Sequence, residues 1–559
     1  MTTPDVTAAG RGAGRVAGVI TMAALVATAT LAGQVPQRRF FPDDPLLIDR
    51  DTRDVPATPA TIELSDLYDR FRHIMALPGS KQCGEARNVS TLDEVPDSSW
   101  YQNRHATTRM SIAELVKGPD TTGGPDMTSP WRVVRGKSQG LTPGFDIIDG
   151  RGKRYVIKLD PFNLPELSSS AEVISTKIFH ALGYYTPENY IVLLEPSALT
   201  VEPGTLVADE LGTKRPLTTE RLARLLRDAP RRADGRIRVT ASLFVSGKPI
   251  GPFRYFDTRS DDPNDVIPHE DRRELRGLRV FSAWLNHDDT RAQNTLDSWI
   301  QEGSTHHVRH YLIDFGSTLG SGSIEAQLPW LGFDYWLDLG LVRRNALGFG
   351  AHAPAYYKVM FPDYPSVGRF EADAYEPHEW KNDYPNPAFV RMTDRDAFWA
   401  AKILMTFSRE ELAAIVKTGQ YTDAAAEAYV LRTLIKRQQK TGAYYFHRMN
   451  PLDEFTVGAS ELQFVNLAER HGLASSGTRY QIEWSLYDDT TGATESLAPG
   501  VTVDIPRSPV PETGRPTLPG RYLKAVVRSL HPDHAPWSTP VAVYLRPIAA
   551  GYQVVGIER

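Results

Sequence analysis

The sequence predicts an α+β fold built from a β-rich lobe, a mainly helical lobe and a small all-β domain, in that order along the chain. Short apolar runs of strand character, separated by glycine-bearing turns, begin at Trp131. Helical spacing of apolar residues dominates from about residue 270 to 450, and strand character returns after Pro451. The 559 residues suffice for two to four domains.

Residues 1–34 are predicted to be a signal peptide or a membrane anchor. Arg11 and Arg15 precede an uncharged run over 16–33 that ends in small residues, as in segments cleaved on export. The run is barely long enough to span a bilayer, which favours a cleaved signal peptide; a retained anchor would attach the protein to a membrane through residues 16–33. We therefore expect an exported protein, periplasmic or extracellular, or a membrane-anchored one, rather than a cytoplasmic one.

Two further segments precede the first predicted lobe. Residues 35–60 are rich in Pro, Asp and Arg without apolar periodicity, which predicts a linker. Residues 61–130 are predicted to form an N-terminal extension packed on the next domain, with short helices over 64–76 and 111–116.

Residues 131–270 are predicted to form the β-rich N-lobe and an insert. The expected strands cover residues 131–134, 145–148, 155–159 and 190–194. A helix is expected over 170–182, where apolar residues recur at helical spacing and Gly183 stands at the position of a C-terminal cap.

Residues 271–450 are predicted to form the helical C-lobe, and residues 451–559 a β-sandwich-like accessory domain. The C-lobe should contain a helix over 272–285, a β-hairpin over 295–313 and helices over 396–416 and 424–440. In the accessory domain, strands are expected over 480–486, 522–528, 541–545 and 552–557.

Composition excludes several classes of function. The chain is 41% apolar and 23% charged, as expected of a folded protein, with a net charge of -5. This charge and a pI near 6.3 provide no basic surface, so nucleic acid is not expected as a partner. Cys83 is the only cysteine, which excludes an internal disulfide and a thiolate zinc site.

Two motifs in the predicted C-lobe carry candidate chemistry. Asp314 closes an apolar strand and is followed by Phe315 and Gly316, so its carboxylate should emerge at a strand end within reach of a metal. The segment from His287 to Asn294 reads His-Asp-Asp-Thr-Arg-Ala-Gln-Asn, and its second aspartate, Asp289, precedes Asp314 by 25 positions. That distance leaves room for a hairpin; alternatively, the polar residues merely cap the preceding helix.

The His287–Asn294 segment resembles the catalytic loop H-R-D-x-x-x-x-N of the protein-kinase-like superfamily. The resemblance implies that Asp289 orients or deprotonates an acceptor hydroxyl and that Asn294 and Asp314 bind Mg²⁺, or Mn²⁺ in its place. His287 belongs to the same catalytic motif, and Arg291 occupies the position of a cation that offsets phosphate charge. Asp288 replaces the usual arginine, which puts in doubt regulation through a phosphorylated activation loop.

The predicted N-lobe adds a nucleotide-binding pattern to this resemblance. Lys158 ends the sequence Tyr-Val-Ile-Lys in an apolar strand, where the family's lysine binds the α and β phosphates of ATP, and Glu172 lies fourteen residues on, where the family has its ion-pairing glutamate. Gly136, Lys137 and Gly140 lie in a loop that could cover the phosphates, although an ordinary hairpin loop explains them equally well.

The departures from the family pattern indicate an atypical branch with a two-lobed protein-kinase-like fold. The Ala-Pro-Glu motif that typical kinases carry downstream of Asp-Phe-Gly is not evident. The context of the loop resembles HipA-type, CotH-type and secretory-pathway kinases. The resemblance implies an ATP- and magnesium-dependent kinase that transfers the γ-phosphate to a hydroxyl of a protein, sugar or lipid. Two alternatives stay open, a pseudokinase-type binding module and AMP transfer on the same fold.

One histidine-rich segment is a weaker candidate site. His306, His307 and His310 run from a predicted loop into a strand, where alternate residues face opposite sides. That spacing suits one tetrahedral metal site poorly, so we expect a solvated hairpin tip instead.

Overall fold

The structure is a computed structural model, and it describes residues 38–80, 82–136, 142–208, 213–347, 355–458, 460–512 and 519–559. It is a mixed α+β protein with several sheets. Lys137, Gly140 and the predicted signal or anchor segment lie outside the described residues. Within them, no helix has both the length and the apolar character needed to cross a membrane.

Residues 38–65, here called the strap, run along the molecule without a regular helix or strand. At one end, the Phe40 ring packs among three tyrosine rings of one C-terminal sheet. Further along, the Val55 amide donates to the His306 carbonyl at 2.6 Å and the Ile62 amide to the Ile250 carbonyl at 2.9 Å. The segment predicted as a linker therefore lacks regular structure but is packed against the folded protein along its length.

The N-terminal half is built around one six-stranded sheet with the order β4-β8-β3-β2-β1-β5. The elements of this half are α1 (Asp66–Ala76), α2 (Ile112–Lys117), β1 (Trp131–Gly136), β2 (Gly144–Ile148), β3 (Arg154–Leu159), α3 (Leu167–Leu182), β4 (Asn189–Leu194), β5 (Leu199–Val201), β6 (Leu206–Ala208), β7 (Lys214–Pro216), α4 (Thr219–Arg227) and β8 (Ile237–Leu243). All strand pairs of the large sheet are antiparallel except β1 with β5. The four predicted strands and the helix capped by Gly183 are present; β8, which lies between β3 and β4, was not predicted.

A mainly helical region follows, with a hairpin at its start. Its elements are β9 (Lys248–Pro249), α5 (Arg273–Leu285), β10 (Thr295–Glu302), β11 (Thr305–Leu312), α6 (Leu339–Leu347), α7 (Pro387–Val390), α8 (Asp394–Leu404), α9 (Arg409–Lys417) and α10 (Ala424–Arg448). Apolar residues of α5, α8, α9 and α10 share one buried core with α3. The prediction of one helix over 396–416 was wrong, because Ser408 and Glu411 form a capping box that starts a new helix at Arg409.

The prediction of a solvated tip for the histidine-rich segment was also wrong. His307 and His310 are buried in β11. His310 bonds the Asp297 carboxylate through Nδ1 at 2.6 Å and stacks on Trp100 with a centroid distance of 3.4 Å. The strap covers this hairpin, since Trp299 Nε1 donates to the Val55 carbonyl at 3.0 Å. Burial by a segment more than 200 positions away is not visible in the local sequence.

Two antiparallel sheets form the C-terminal part. Its elements are β12 (Leu452–Val457), β13 (Glu461–Asn466), α11 (Leu467–Arg470), β14 (Arg479–Asp488), β15 (Thr494–Ser496), β16 (Val501–Val503), β17 (Arg507–Pro509), β18 (Arg521–Leu530), β19 (Val541–Ile548) and β20 (Gly551–Glu558). The β12-β13-β17 sheet and the larger sheet around β14, β18 and β19 bury apolar side chains in one shared core.

Candidate active site

Lys158 lies at the centre of an ion-pair cluster between the large sheet and α3. It occupies β3, an inner strand of the sheet, and its side chain reaches two carboxylates, with Nζ 2.8 Å from Glu172 Oε2 and 2.9 Å from Asp314 Oδ1. Only 8% of the residue is exposed. Burial alone would lower the pKa of Lys158, but Asp314 and Glu172 outweigh it and raise the pKa, so the amine stays charged.

Glu172 is held in place from three sides. Its helix, α3, is anchored at the start by the Asp160 carboxylate, which accepts hydrogen bonds from backbone amides of the first turn, including Ser169 at 2.8 Å. Glu172 Oε1 accepts from Asn189 Nδ2 at 3.1 Å and from the Phe315 amide at 3.2 Å. Sequence reasoning missed Asn189, whose only signal is a polar residue at the start of an apolar strand.

Asp314 lies just beyond β11, where the backbone adopts a positive φ of 63°. Non-glycine residues rarely occupy that region, and such conformations cluster at functional sites. Phe315 is buried and stacks on Phe179 of α3 with a centroid distance of 4.9 Å. The packed ring fixes the turn and directs the Asp314 carboxylate toward Lys158.

Asp289 and Asn294 lie in the loop after α5, close to Asp314. The Ile313 amide donates to the Asn294 carbonyl at 3.0 Å, which ties this loop to the residue before Asp314. Asn294 Nδ2 donates to Asp289 Oδ2 at 2.8 Å, and Arg291 Nε lies 2.6 Å from Asp289 Oδ1. Burial raises the pKa of Asp289 to about 6, although Arg291 and Asn294 favour its charged form.

His287 and Asp288 support the loop from inside. His287 is buried, contacts the Ser317 carbonyl through Nδ1 at 3.2 Å, and has its pKa lowered to about 4 by burial, so it is neutral near pH 7. Asp288 accepts from Gln327 Nε2 and from Ser317 Oγ. Burial, reinforced by the charge of Asp289, raises the pKa of Asp288 well above its usual range. These two side chains position the loop and connect it to the segment after Asp314.

Arg291 has two carboxylate partners, besides Asp289, that the sequence did not predict. Its Nη1 lies 3.0 Å from Asp66 Oδ1 in α1 and 3.9 Å from Asp383 Oδ2. Arg70 of α1 binds the same Asp383 carboxylate at 2.9 Å. Asp66 and Asp383 are 225 and 92 positions from Arg291 in the chain, and nothing in their local sequence marks them.

Gly136 ends β1 and has a packing role. A Cβ atom at this position would lie 2.5 Å from the Val207 Cβ, so only glycine fits against β6. The other two residues named for this loop, Lys137 and Gly140, lie outside the described residues.

The cluster offers the donors that a magnesium-bound nucleoside triphosphate requires. Lys158 is a buried cation suited to phosphate oxygens, and the Asp314 carboxylate, with 33% of its side chain exposed, is a hard oxygen ligand at the edge of the cluster. Asn294 uses its amide nitrogen toward Asp289, which leaves its oxygen as the atom able to bind a cation. Among the described residues, no group of three or more His, Cys, Asp or Glu side chains is placed to hold a metal by itself. Magnesium in nucleotide sites is commonly held by one or two protein oxygens together with the phosphates.

Comparisons with known proteins find similarity in solved structures. No family model matches the sequence, and no curated protein matches it significantly. The Helicobacter pylori proinflammatory kinase CtkA is 11% identical over 55% of this chain and 94% of its own, with a TM-score of 0.29. Hydra Fam20, solved with sugar, gives the same identity and coverage with a TM-score of 0.24.

The Golgi casein kinase is a further similar structure. It is 10% identical over 60% of this chain and 76% of its own, with a TM-score of 0.26. A structure of that kinase with Mn and ADP bound is 10% identical over 54% of this chain and 77% of its own, with a TM-score of 0.20. These scores are low, so the functional assignment of this chain depends on the geometry of its own residues.

Proposed function

We propose that this protein is an atypical, magnesium- and ATP-dependent kinase that transfers the γ-phosphate to a hydroxyl group, with a protein serine or threonine as the first candidate acceptor. The proposal rests on one observation. The Lys158 amine lies within 2.9 Å of the Glu172 and Asp314 carboxylates, next to the loop that holds Asp289 and Asn294. Residues from four separate parts of the chain would thus supply a phosphate-binding cation, metal ligands and a candidate base at one place.

Each residue has a distinct role in the proposed reaction. Lys158, held by Glu172, would bind the phosphates, and Asp314 with Asn294 would hold the cation. A bound magnesium nucleoside triphosphate supplies the phosphoryl group and offsets its charge. Asp289 would orient the acceptor hydroxyl and accept its proton, for which a pKa of about 6 is suitable.

Arg291 and His287 fit roles beside the base. The guanidinium of Arg291 lies 2.6 Å from Asp289 and would stabilise its ionised form. The buried, neutral ring of His287 contacts the Ser317 carbonyl and supports the loop, so we assign it a positioning role. Mn²⁺ could replace Mg²⁺, since both accept oxygen ligands.

A double-label assay tests the proposal. The purified full chain would be incubated with magnesium, dephosphorylated β-casein and ATP labelled on the γ-phosphate or on the adenine. Casein is used as the first acceptor because it supplies serine hydroxyls, the acceptor group proposed here. Transfer of the γ label alone is expected, with loss in Asp314→Ala and retention in the control Asp373→Ala, whose side chain is 91% exposed.

Other outcomes would contradict the kinase assignment in different ways. Transfer of the adenine label would indicate AMP transfer. No label transfer to casein or to the protein itself, together with an unchanged thermal midpoint on adding magnesium and ATP, would indicate a binding module without catalysis.

A further inference from the structure

Helix α1 buries its polar side and exposes its apolar side. Asp69 and His73 are buried, and Tyr384 Oη donates to Asp69 Oδ2 at 2.9 Å. The opposite side carries four large apolar residues that are between 41% and 70% exposed: Leu67, Tyr68, Phe71 and Met75. At 3.6 residues per turn these four cover an arc of roughly 100° on the helix circumference. A helix that only packs on a protein core has the reverse arrangement.

The exposed arc continues onto a neighbouring segment. The rings of Phe71 and Trp336 meet edge to face with a centroid distance of 6.1 Å, and Trp336 is itself 48% exposed. We call Leu67, Tyr68, Phe71, Met75 and Trp336 the α1 surface. Contiguous apolar surface of this kind marks interaction sites in soluble proteins.

The α1 surface lies beside the candidate active site. The first residue of the helix, Asp66, contacts Arg291 at 3.0 Å, and Arg291 contacts Asp289 at 2.6 Å. A pocket between the helix and the loop is lined by His73, Phe256 and Thr290, among others. A molecule bound on the α1 surface would therefore lie within about one helix diameter, roughly 10 Å, of the Arg291 side chain that contacts the proposed base.

Two arginines on the Phe256 ring, one of which belongs to α1, indicate the charge of the partner. The guanidinium carbons of Arg72 and Arg254 lie 4.7 and 5.8 Å from the centre of the Phe256 ring. Among the described residues, neither arginine forms an ion pair with a carboxylate within 4.0 Å. Two neighbouring cations on one ring, without a counter-charge, favour a partner with carboxylates.

We infer that the α1 surface docks the acceptor, a polypeptide segment with apolar side chains at helical spacing and acidic residues beside them. The inference deepens the proposed kinase function and rests on it for naming the partner an acceptor. A membrane surface fits less well, because recognition of anionic lipids commonly uses four or more clustered cations. Here there are two.

Binding of defined peptides tests the inference without requiring catalysis. The probes are three fluorescein-labelled 14-residue peptides with Leu or Phe at positions 3, 7 and 11 and one Ser, in which the other positions are mainly acidic, mainly basic or uncharged. Fluorescence anisotropy with the full chain should show the tightest binding for the acidic peptide. The double variant Leu67→Gln and Met75→Gln should weaken it about tenfold. The matched double variant Ile112→Gln and Val116→Gln, on exposed positions of α2, should leave it unchanged.

Three outcomes would overturn the inference. One is that the full chain binds the three peptides with equal affinity, or that the two double variants bind the acidic peptide with equal affinity. Another is binding to phosphatidylserine vesicles that depends on Leu67 and Met75 while no peptide binds. The third is a concentration-dependent dimer in sedimentation that the α1 variant abolishes. Asp314→Ala separates this inference from the kinase proposal, since it should abolish label transfer and retain peptide binding.

Discussion

Replacing Lys158 with methionine should destabilise the protein, because it leaves the buried Glu172 carboxylate without its cation. Glu172 is 1% exposed, and its Oε2 contacts the Lys158 amine at 2.8 Å. Removing one partner of a buried ion pair typically costs 3–5 kcal/mol, about half a small domain's stability. Asn189 and the Phe315 amide still bind the other oxygen, and Asp314 is partly hydrated, so we expect the lower end of this range, about 3 kcal/mol.

A second substitution isolates the cause. In the Lys158→Met background, Glu172→Gln removes the uncompensated charge while keeping an oxygen for Asn189 and the Phe315 amide. It should therefore restore about 2 kcal/mol of the lost free energy of unfolding, although either single change should impair nucleotide binding.

Hydrogen exchange of the β3 and α3 amides in mild urea is the appropriate measurement, because a chain of this size does not unfold in one step. Lys248→Met, at an exposed position of β9, is the control. Equal exchange in the Lys158 and Lys248 variants, or a double variant no more stable than Lys158→Met, would refute the reasoning.

Three further predictions follow from the same geometry. The kcat/KM of phosphoryl transfer should rise as pH increases through about 6, because the raised pKa of Asp289 leaves it protonated at lower pH. Arg291→Gln removes a cation that stabilises the ionised Asp289, so it should move this rise to higher pH. An unmoved pH profile in Arg291→Gln would contradict the role of Asp289 as the base. Asn189→Leu removes a charge-assisted hydrogen bond to Glu172 and should raise the KM for ATP about tenfold with a smaller effect on kcat. An equally large decrease of kcat at saturating ATP would argue against a positioning role for Asn189. Burial opposes ionisation of Asp93, but nearby arginines, among them Arg559, lower its pKa to about 2. The charged Asp93 should therefore stabilise the protein above pH ~4, and this stabilisation should be lost as the pH falls toward 2. Arg559→Gln should lower the thermal midpoint at pH 7 and flatten this loss, and an unchanged pH dependence of the thermal midpoint would exclude the Arg559 contact as its cause.

The parts of the site that could be predicted from the sequence are those with a local signal. A lysine in an apolar strand and an aspartate at the end of one are visible in the strand pattern, and the structure brings Lys158 and Asp314 to 2.9 Å. The contacts of Asn189 and Asp383 could not be predicted, because each depends on a partner brought close only by the fold. Whether the gathered residues catalyse transfer stays a prediction.

The fold shows the same division between local and long-range information. Helices and strands with clear periodicity were predicted close to their bounds, as for the helix expected over 272–285 and found at Arg273–Leu285. Strand β8 is an exception, because it was missed although its sequence Ile-Arg-Val-Thr-Ala-Ser-Leu alternates apolar and polar residues, which is a local signal of a strand. His307 and His310 were expected in solvent because their neighbours are polar, but both are buried, and His310 stacks on Trp100, a residue far from it in the chain.

The strap has a consequence for the order in which the protein matures. Arg39, near its start, contacts Glu558 of the last strand at 2.8 Å, and Phe40 packs on Tyr544. A ribosome makes the chain from the N-terminus, so these early residues have no docking surface until nearly all 559 residues have been synthesised. Newly made chains should thus present Phe40 to chaperones during most of translation, and a truncation that removes β19 and β20 would take away both the Tyr544 ring and the Glu558 carboxylate that hold the start of the strap.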